Sequence, residues 1–233
     1  MPGGKEMFHH RHSVAEPEAV ADTSAGAQLA IVTRSGGDPR RRLLEAMIET
    51  VALRGYDRTT VSRVLSSAGL EEATFSEHFY DKHDCFMQAA DDLLGRVERG
   101  ALAQFQQAAP WSERVRLALQ SLLCALSRNP AGARVALVEM LGAGPEACER
   151  QRSVLALFAT LIEEGRLQSA DTSALPAQTS EAIVGGIASI VQRRILQGDT
   201  AGLPELHADL TYFTLLPYLD HERALSVARA SAP

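Results

Sequence analysis

Residues Thr59–Phe86 read TTVSRVLSSAGLEEATFSEHFYDKHDCF, and the way this run divides into elements decides the fold. Thr60 stands where a helix needs a cap, and Val61, Val64 and Leu65 come after it with the spacing of one buried face. Ala68, Gly69 and Leu70 then make a tight turn, since only a small side chain lets two short helices approach so closely. A further helix over about Glu71–His78 is expected to bury Ala73, Phe75 and Phe79. Its other face keeps Glu72, Thr74, Ser76 and Glu77. Two short helices joined by a glycine turn offer a side-chain row of the width that fits a DNA major groove.

The flanking sequence extends the pattern in both directions. Upstream, Asp38 and Pro39 supply a cap and a first helical residue, Leu44, Met47, Ile48 and Val51 form an apolar stripe, and Gly55 closes the helix. Arg40, Arg41, Arg42 and Glu45 lie on its polar face. Downstream, Asp81 caps a fourth helix, with Asp84 an acidic partner for its first-turn amides. Phe86, Ala89, Ala90, Leu93, Leu94 and Val97 give that helix a stripe long enough to join the first three helices to a second bundle.

The remainder of the chain reads as helix after helix. Trp111–Arg128 carries Val115, Leu119, Leu122 and Leu126 and stops at Asn129-Pro130. Shorter patterns cover Ala131–Met140, Pro145–Gly165, Pro176–Gln197 and Leu203–Leu219, with a polar loop through Asp171, Thr172 and Ser173. Gly185 and Gly186 sit inside an otherwise good helical pattern and mark a close helix approach, at a subunit interface or within the bundle. Residues 1–38 and 221–233 lack sustained periodicity and read as tails.

Composition narrows the function classes. The 233 residues are 45% hydrophobic but only 5% aromatic, which favours helices over a sandwich or barrel. A net charge of -6 means that any DNA contact rests on a local patch such as Arg34, Arg40, Arg41, Arg42, Arg54, Arg58 and Arg63, not on the global field. Cys85, Cys124 and Cys148 have no paired spacing, and neither a secretory signal nor a membrane-length apolar run stands out, so a reduced, cytoplasmic chain is expected. No Gly-rich phosphate loop, nucleophile elbow or paired-histidine metal motif occurs. Glu163-Glu164 lacks the histidines that would give it chemistry. An enzyme is therefore not expected, nor a cofactor. His9, His10 and His12 read as a solvated cluster and not as a metal site.

The whole run Arg40–Phe86, with its GY turn, paired threonines, AG turn, T-F pair and H-F-x-x-K ending, resembles the DNA-binding region of TetR-family transcriptional regulators. The resemblance implies an all-α chain: a helix-turn-helix domain over residues 39–83 and an effector-binding, dimerising bundle over 84–220. It also implies roles. Arg40, Arg41, Arg42 and Arg58 would neutralise phosphates, Thr59 and Thr60 would offer hydroxyl and amide groups, Thr74 and Ser76 would face base edges, and His78 and Lys82 would meet the backbone. This chain departs from the family in having Ser76 for a usual tyrosine and Glu71 for a small hydroxyl residue. Met87, Phe105, Trp111, Met140 and Phe158 are the expected lining of an apolar effector cavity. The partners implied are a near-palindromic DNA operator, a second copy of the chain and an apolar small molecule, with repression the expected sign. The alternative is a helical small-molecule-binding protein of the same fold that has lost its DNA.

Overall fold

A computed structural model describes residues 37–168 and 175–230. Ten α-helices and no strand occur among the described residues: α1 (Pro39–Arg54), α2 (Val61–Ala68), α3 (Glu72–His78), α4 (Lys82–Phe105), α5 (Trp111–Arg128), α6 (Pro130–Leu137), α7 (Pro145–Glu163), α8 (Thr179–Leu196), α9 (His207–Leu215) and α10 (His221–Ala228). Single 3₁₀ turns at Glu139–Gly142, Glu164–Gln168 and Leu203–Leu206 complete the set. The histidine cluster, Arg34 and the polar loop at Asp171–Ser173 lie outside the described residues.

The helix boundaries follow cap chemistry. Asp38 accepts from the Arg40 amide at 3.2 Å, with Pro39 as the first helical residue. Asp81 accepts from the Asp84 amide at 2.8 Å. Asn129 ends α5 and, by accepting from the Gly132 amide at 3.0 Å, also starts α6. Each bond satisfies an amide that the helix itself cannot.

Two apolar cores form. The first joins Leu43, Met47 and Val51 of α1, Val64 and Leu65 of α2 and Phe75 of α3 to Phe86, Ala90 and Leu94 of α4, then to Val135, Met140 and Val154. The second gathers α5, α8, α9 and α10 around Trp111, Leu123, Ile183, Val191, Leu210 and Leu215. The first core runs across the expected boundary at residues 83 and 84, because α4 and α6 both pack on α1. A displacement of α4 therefore reaches the three amino-terminal helices through close-packed side chains.

Two expectations need correction. Residues 221–228 are helix, not tail: Asp220 caps α10 by accepting from the Arg223 amide at 2.8 Å, and Ala224 and Ala228 are buried. Their small side chains give a weak periodic signal yet allow α10 to pack on α9 and α5. Beside them lies Arg116, 1% exposed, held by two hydrogen bonds to Glu113 at 2.8 and 2.5 Å and donating to the Ala230 carbonyl at 3.4 Å. The Arg116 hydrogen bond pulls the Glu113 carboxyl below the ordinary carboxylate range. Ala73 is the second correction. It is exposed, because a seven-residue helix anchored by Phe75 and Phe79 turns it outward.

Candidate DNA interface and apolar cavity

The turn between α2 and α3 is locked from three sides. Gly69 takes a left-handed conformation with φ 63°, which lets the Leu70 amide reach the Leu65 carbonyl at 3.1 Å. Arg42 donates to the Ala68 carbonyl at 2.5 Å and so satisfies an orphan acceptor at the end of α2. Phe75 and Phe79 are buried, with ring centroids 5.5 Å apart, and pin α3 by one side. The opposite side presents Glu72, Ala73, Ser76 and Glu77 to solvent, and Tyr80 stands just beyond at 95% exposure.

Several residues expected at a DNA surface have other work. Thr59 is 1% exposed and donates its hydroxyl to the Gly55 carbonyl at 2.9 Å, so it closes the loop after α1 and presents nothing outward. Arg40 donates to Gln88 at 2.5 Å and lies 5.8 Å from the Phe79 ring. Arg42 is spent on the turn. Arg41 is exposed beside Glu45, and Arg58 is exposed. Thr60 caps α2, accepting from the Arg63 amide at 3.4 Å, with its side chain at the surface. Thr74 and His78 are half-buried, while the Ser76 hydroxyl bends back to the Glu72 carbonyl at 3.4 Å. Glu71 precedes α3 without a side-chain cap bond.

Lys82 is half-buried, with Nζ 3.1 Å from the Tyr56 carbonyl and 4.0 Å from the centre of the Tyr56 ring. Arg54 and Arg63, both in the arginine patch expected from the sequence, are exposed, Arg63 also donating to the Arg58 carbonyl, and Tyr80 is an exposed residue absent from the expected contacts. Arg54, Arg58, Thr60 and Arg63 line one shallow polar groove with Leu53 and Asp57. Residues 38–83 hold seven Lys and Arg against eight Asp and Glu, so positive potential comes only from such local grouping. All three arginines lie within ten residues, which is why the sequence already groups them in one patch.

A hydrogen-bond relay runs from this module to the bundle. The Tyr56 hydroxyl and His83 Nδ1 are 3.1 Å apart, and His83 Nε2 lies 3.0 Å from Glu146 on the first turn of α7. Burial, then the nearby Asp81 and Asp57 carboxylates, push the Tyr56 hydroxyl up from its ordinary value, so it stays a neutral donor. Farther along α7, Arg150 grips Asp91 at 2.7 Å and Glu98 at 2.7 and 3.1 Å on α4.

The same α7 walls an apolar cavity of about 100 Å³ between α4, α5, α6, α7 and α8. Leu94, Leu119, Leu122, Val154, Phe158 and Val191 are among its walls, and Gln151, the one polar side chain there, turns its amide to the Ala136 carbonyl at 2.6 Å. A void so lined stays dry and takes hydrocarbon. A second void of about 30 Å³ shares Leu119, Leu122, Phe158 and Ile162 and adds Phe105. Of the expected lining, Phe158 and Phe105 therefore face voids. Met87 and Met140 are buried in the first core, and Trp111 packs on Tyr218 with its indole donating to the Leu161 carbonyl at 3.2 Å.

Along α8, Ala182, Gly185 and Ser189 are exposed at three- and four-residue spacing. A Cβ at Gly185 would meet no atom within 4 Å, whereas one at Gly186 would lie 3.6 Å from the Phe213 ring of α9. Phe213 and Leu216 are themselves exposed. Small side chains on α8 and, on or just after α9, two apolar ones are thus exposed. No helix of the described residues is long and apolar enough to cross a membrane.

Residues 43–89 match the family described as bacterial regulatory proteins, tetR family. A curated relative, an uncharacterized HTH-type transcriptional regulator, YdgC, of Bacillus subtilis strain 168, is 24% identical over 189 residues, covering 78% of this chain and 95% of its own. Among solved structures, the fatty acid degradation regulator FadR from Bacillus halodurans aligns with TM-score 0.69 at 19% identity, over 78% of this chain and 97% of that one. FadR from Bacillus subtilis, solved in complex with stearoyl-CoA, aligns with TM-score 0.66 at 17% identity, over 76% of this chain and 98% of that one. At such identities the structural likeness establishes the fold alone.

Proposed function

We propose, from the match of residues 43–89 to the family described as bacterial regulatory proteins, tetR family, and the likeness to an HTH-type regulator, that this chain is a homodimeric, ligand-responsive repressor acting on a near-palindromic operator. Residues 39–83 grip the duplex and residues 84–220 bind the effector and the second subunit. The carrying observation is the outward side of α3, pinned from behind by Phe75 and Phe79 and flanked by the groove of Arg54, Arg58, Thr60 and Arg63. One short helix reaches too few base pairs to select a site, so two copies reading successive major grooves are required. The small-residue face of α8 beside Phe213 and Leu216 is the surface on which two copies pair.

The effector is a molecule with an unbranched apolar portion. The all-hydrocarbon cavity supports this, and so does the likeness to a FadR solved with stearoyl-CoA. At about 100 Å³ the cavity falls below the 300 Å³ or so of an ordinary ligand site, so a hydrocarbon chain enters only by prising α7 away from α4, α5 and α8. That movement carries Glu146 and Arg150, and through them His83 and α4, which changes the spacing of the two α3 helices in the dimer. The carboxylates on α3 favour one other reading, an effector-binding protein without DNA. Selection of genomic fragments by the purified protein at fixed salt, followed by addition of stearoyl-CoA, separates the two. Enrichment of one near-palindrome and its release by the acyl-CoA support the regulator; no enrichment at low salt rejects it.

A further inference from the structure

The outward side of α3 carries an unusual set of groups for a surface that faces a polyanion. Glu72 and Glu77 are exposed, and neither side chain makes a hydrogen bond or ion pair among the described residues. Elsewhere among the described residues Glu45, Asp91, Glu98, Glu113, Glu139, Glu149, Glu163, Glu164 and Asp199 each lie beside an arginine. Between Glu72 and Glu77 stand only Ala73, Ser76 with its hydroxyl turned to its own backbone, and the half-buried Thr74 and buried Phe75. Arginine, lysine, asparagine and glutamine, which read guanine and adenine by paired hydrogen bonds, are absent from α3. The exposed cations Arg54, Arg58 and Arg63 lie instead on α1, the loop after it and α2.

We propose that Glu72 and Glu77 determine operator specificity by accepting hydrogen bonds from cytosine N4 amino groups in the major groove, with Ala73 against a thymine methyl. The assignment rests on the DNA-binding reading above and deepens it. A carboxylate pressed against DNA loses water and meets the phosphate field, so it is tolerated only where a donor replaces the lost hydration. Cytosine and adenine are the bases that offer an amino donor in the major groove. In adenine the N7 acceptor sits beside that amino group and repels the second carboxylate oxygen, whereas cytosine places an inert C5–H there. Half-sites with cytosine facing α3 are therefore selected, and all other duplexes are disfavoured by the same two charges.

The test is selection from a random duplex library at one salt concentration with the native protein, Glu72→Gln and Glu77→Gln, each checked for native melting. The native protein should enrich half-sites with two C·G pairs. Each variant should lose the preference for cytosine at one of them, by about tenfold or more, and move toward adenine, while both gain affinity for random duplex. Placing N4-methylcytosine, which keeps the pairing hydrogen and blocks the groove-facing one, at those positions should reduce native binding to the level of random sequence. A defined site whose sequence is unchanged by either substitution and indifferent to the methyl group overturns the assignment and leaves the regulator intact. Failure of the native protein to enrich any duplex overturns both.

Discussion

Lys82 shows how far a side chain's chemistry depends on what its neighbours leave free. Its ammonium lies on the Tyr56 ring and carbonyl, so Lys82→Ala is expected to destabilise the fold by about 1–2 kcal/mol, the sum of a cation–π contact and a hydrogen bond, in urea unfolding. Arg54→Ala, in contrast, removes an exposed side chain that makes no hydrogen bond or ion pair among the described residues, so it should leave stability nearly unchanged and flatten the salt dependence of DNA binding by about one ion. A second residue-scale case is Cys85. It is fully buried, and burial pushes its thiol up to about 12, so the reactive thiolate is scarce at neutral pH. Alkylation of the native protein at pH 8 should modify the half-buried Cys124 and Cys148 and spare Cys85 until urea unfolds the chain. Mass spectrometry of the labelled peptides reads the difference.

Elements were legible in sequence where their cause is local. Asp38, Thr60 and Asp81 cap their helices as read, because a cap bond spans two or three residues, and the Trp111–Arg128 helix is bounded as expected by Pro110 and Asn129. Arg42 and Lys82 were not legible, since the carbonyls they serve, Ala68 and Tyr56, lie 26 residues away and become acceptors only once the turns exist. Nor was the cavity lining. Residue type does not say where helices separate, which is why Met87, Met140 and Trp111 proved to be packing while Val154 and Leu122 face the void. Gly165 belongs to the same class. In the turn after α7 it lies flush against Trp111, and an added Cβ would stand 2.3 Å from the indole ring. Gly165→Ala should therefore destabilise by about 1–3 kcal/mol, although the backbone there tolerates alanine, and thermal or urea melts measure it.

At the scale of the molecule, the surface of α8 separates assembly from folding. A side chain added at Gly185 would meet no other part of its own chain within 4 Å, so Gly185→Arg should leave the melting of a protomer unchanged while driving the proposed dimer to monomer in sedimentation velocity. Operator binding should fall with it, because paired half-sites are then read one at a time.

Phe158 stands between the two voids, and its ring is part of both walls. Under the proposed function, a guest filling the larger space ends at that ring, and Phe158→Ala would open a single longer tunnel toward Phe105. Titration with acyl-CoAs of graded length, read as release from operator, should shift its optimum to longer chains in the variant, and an unmoved optimum would remove Phe158 from this role. One aromatic side chain then acts as a ruler. It would make the cell's response track how many carbons a metabolite carries, and not merely whether it is greasy.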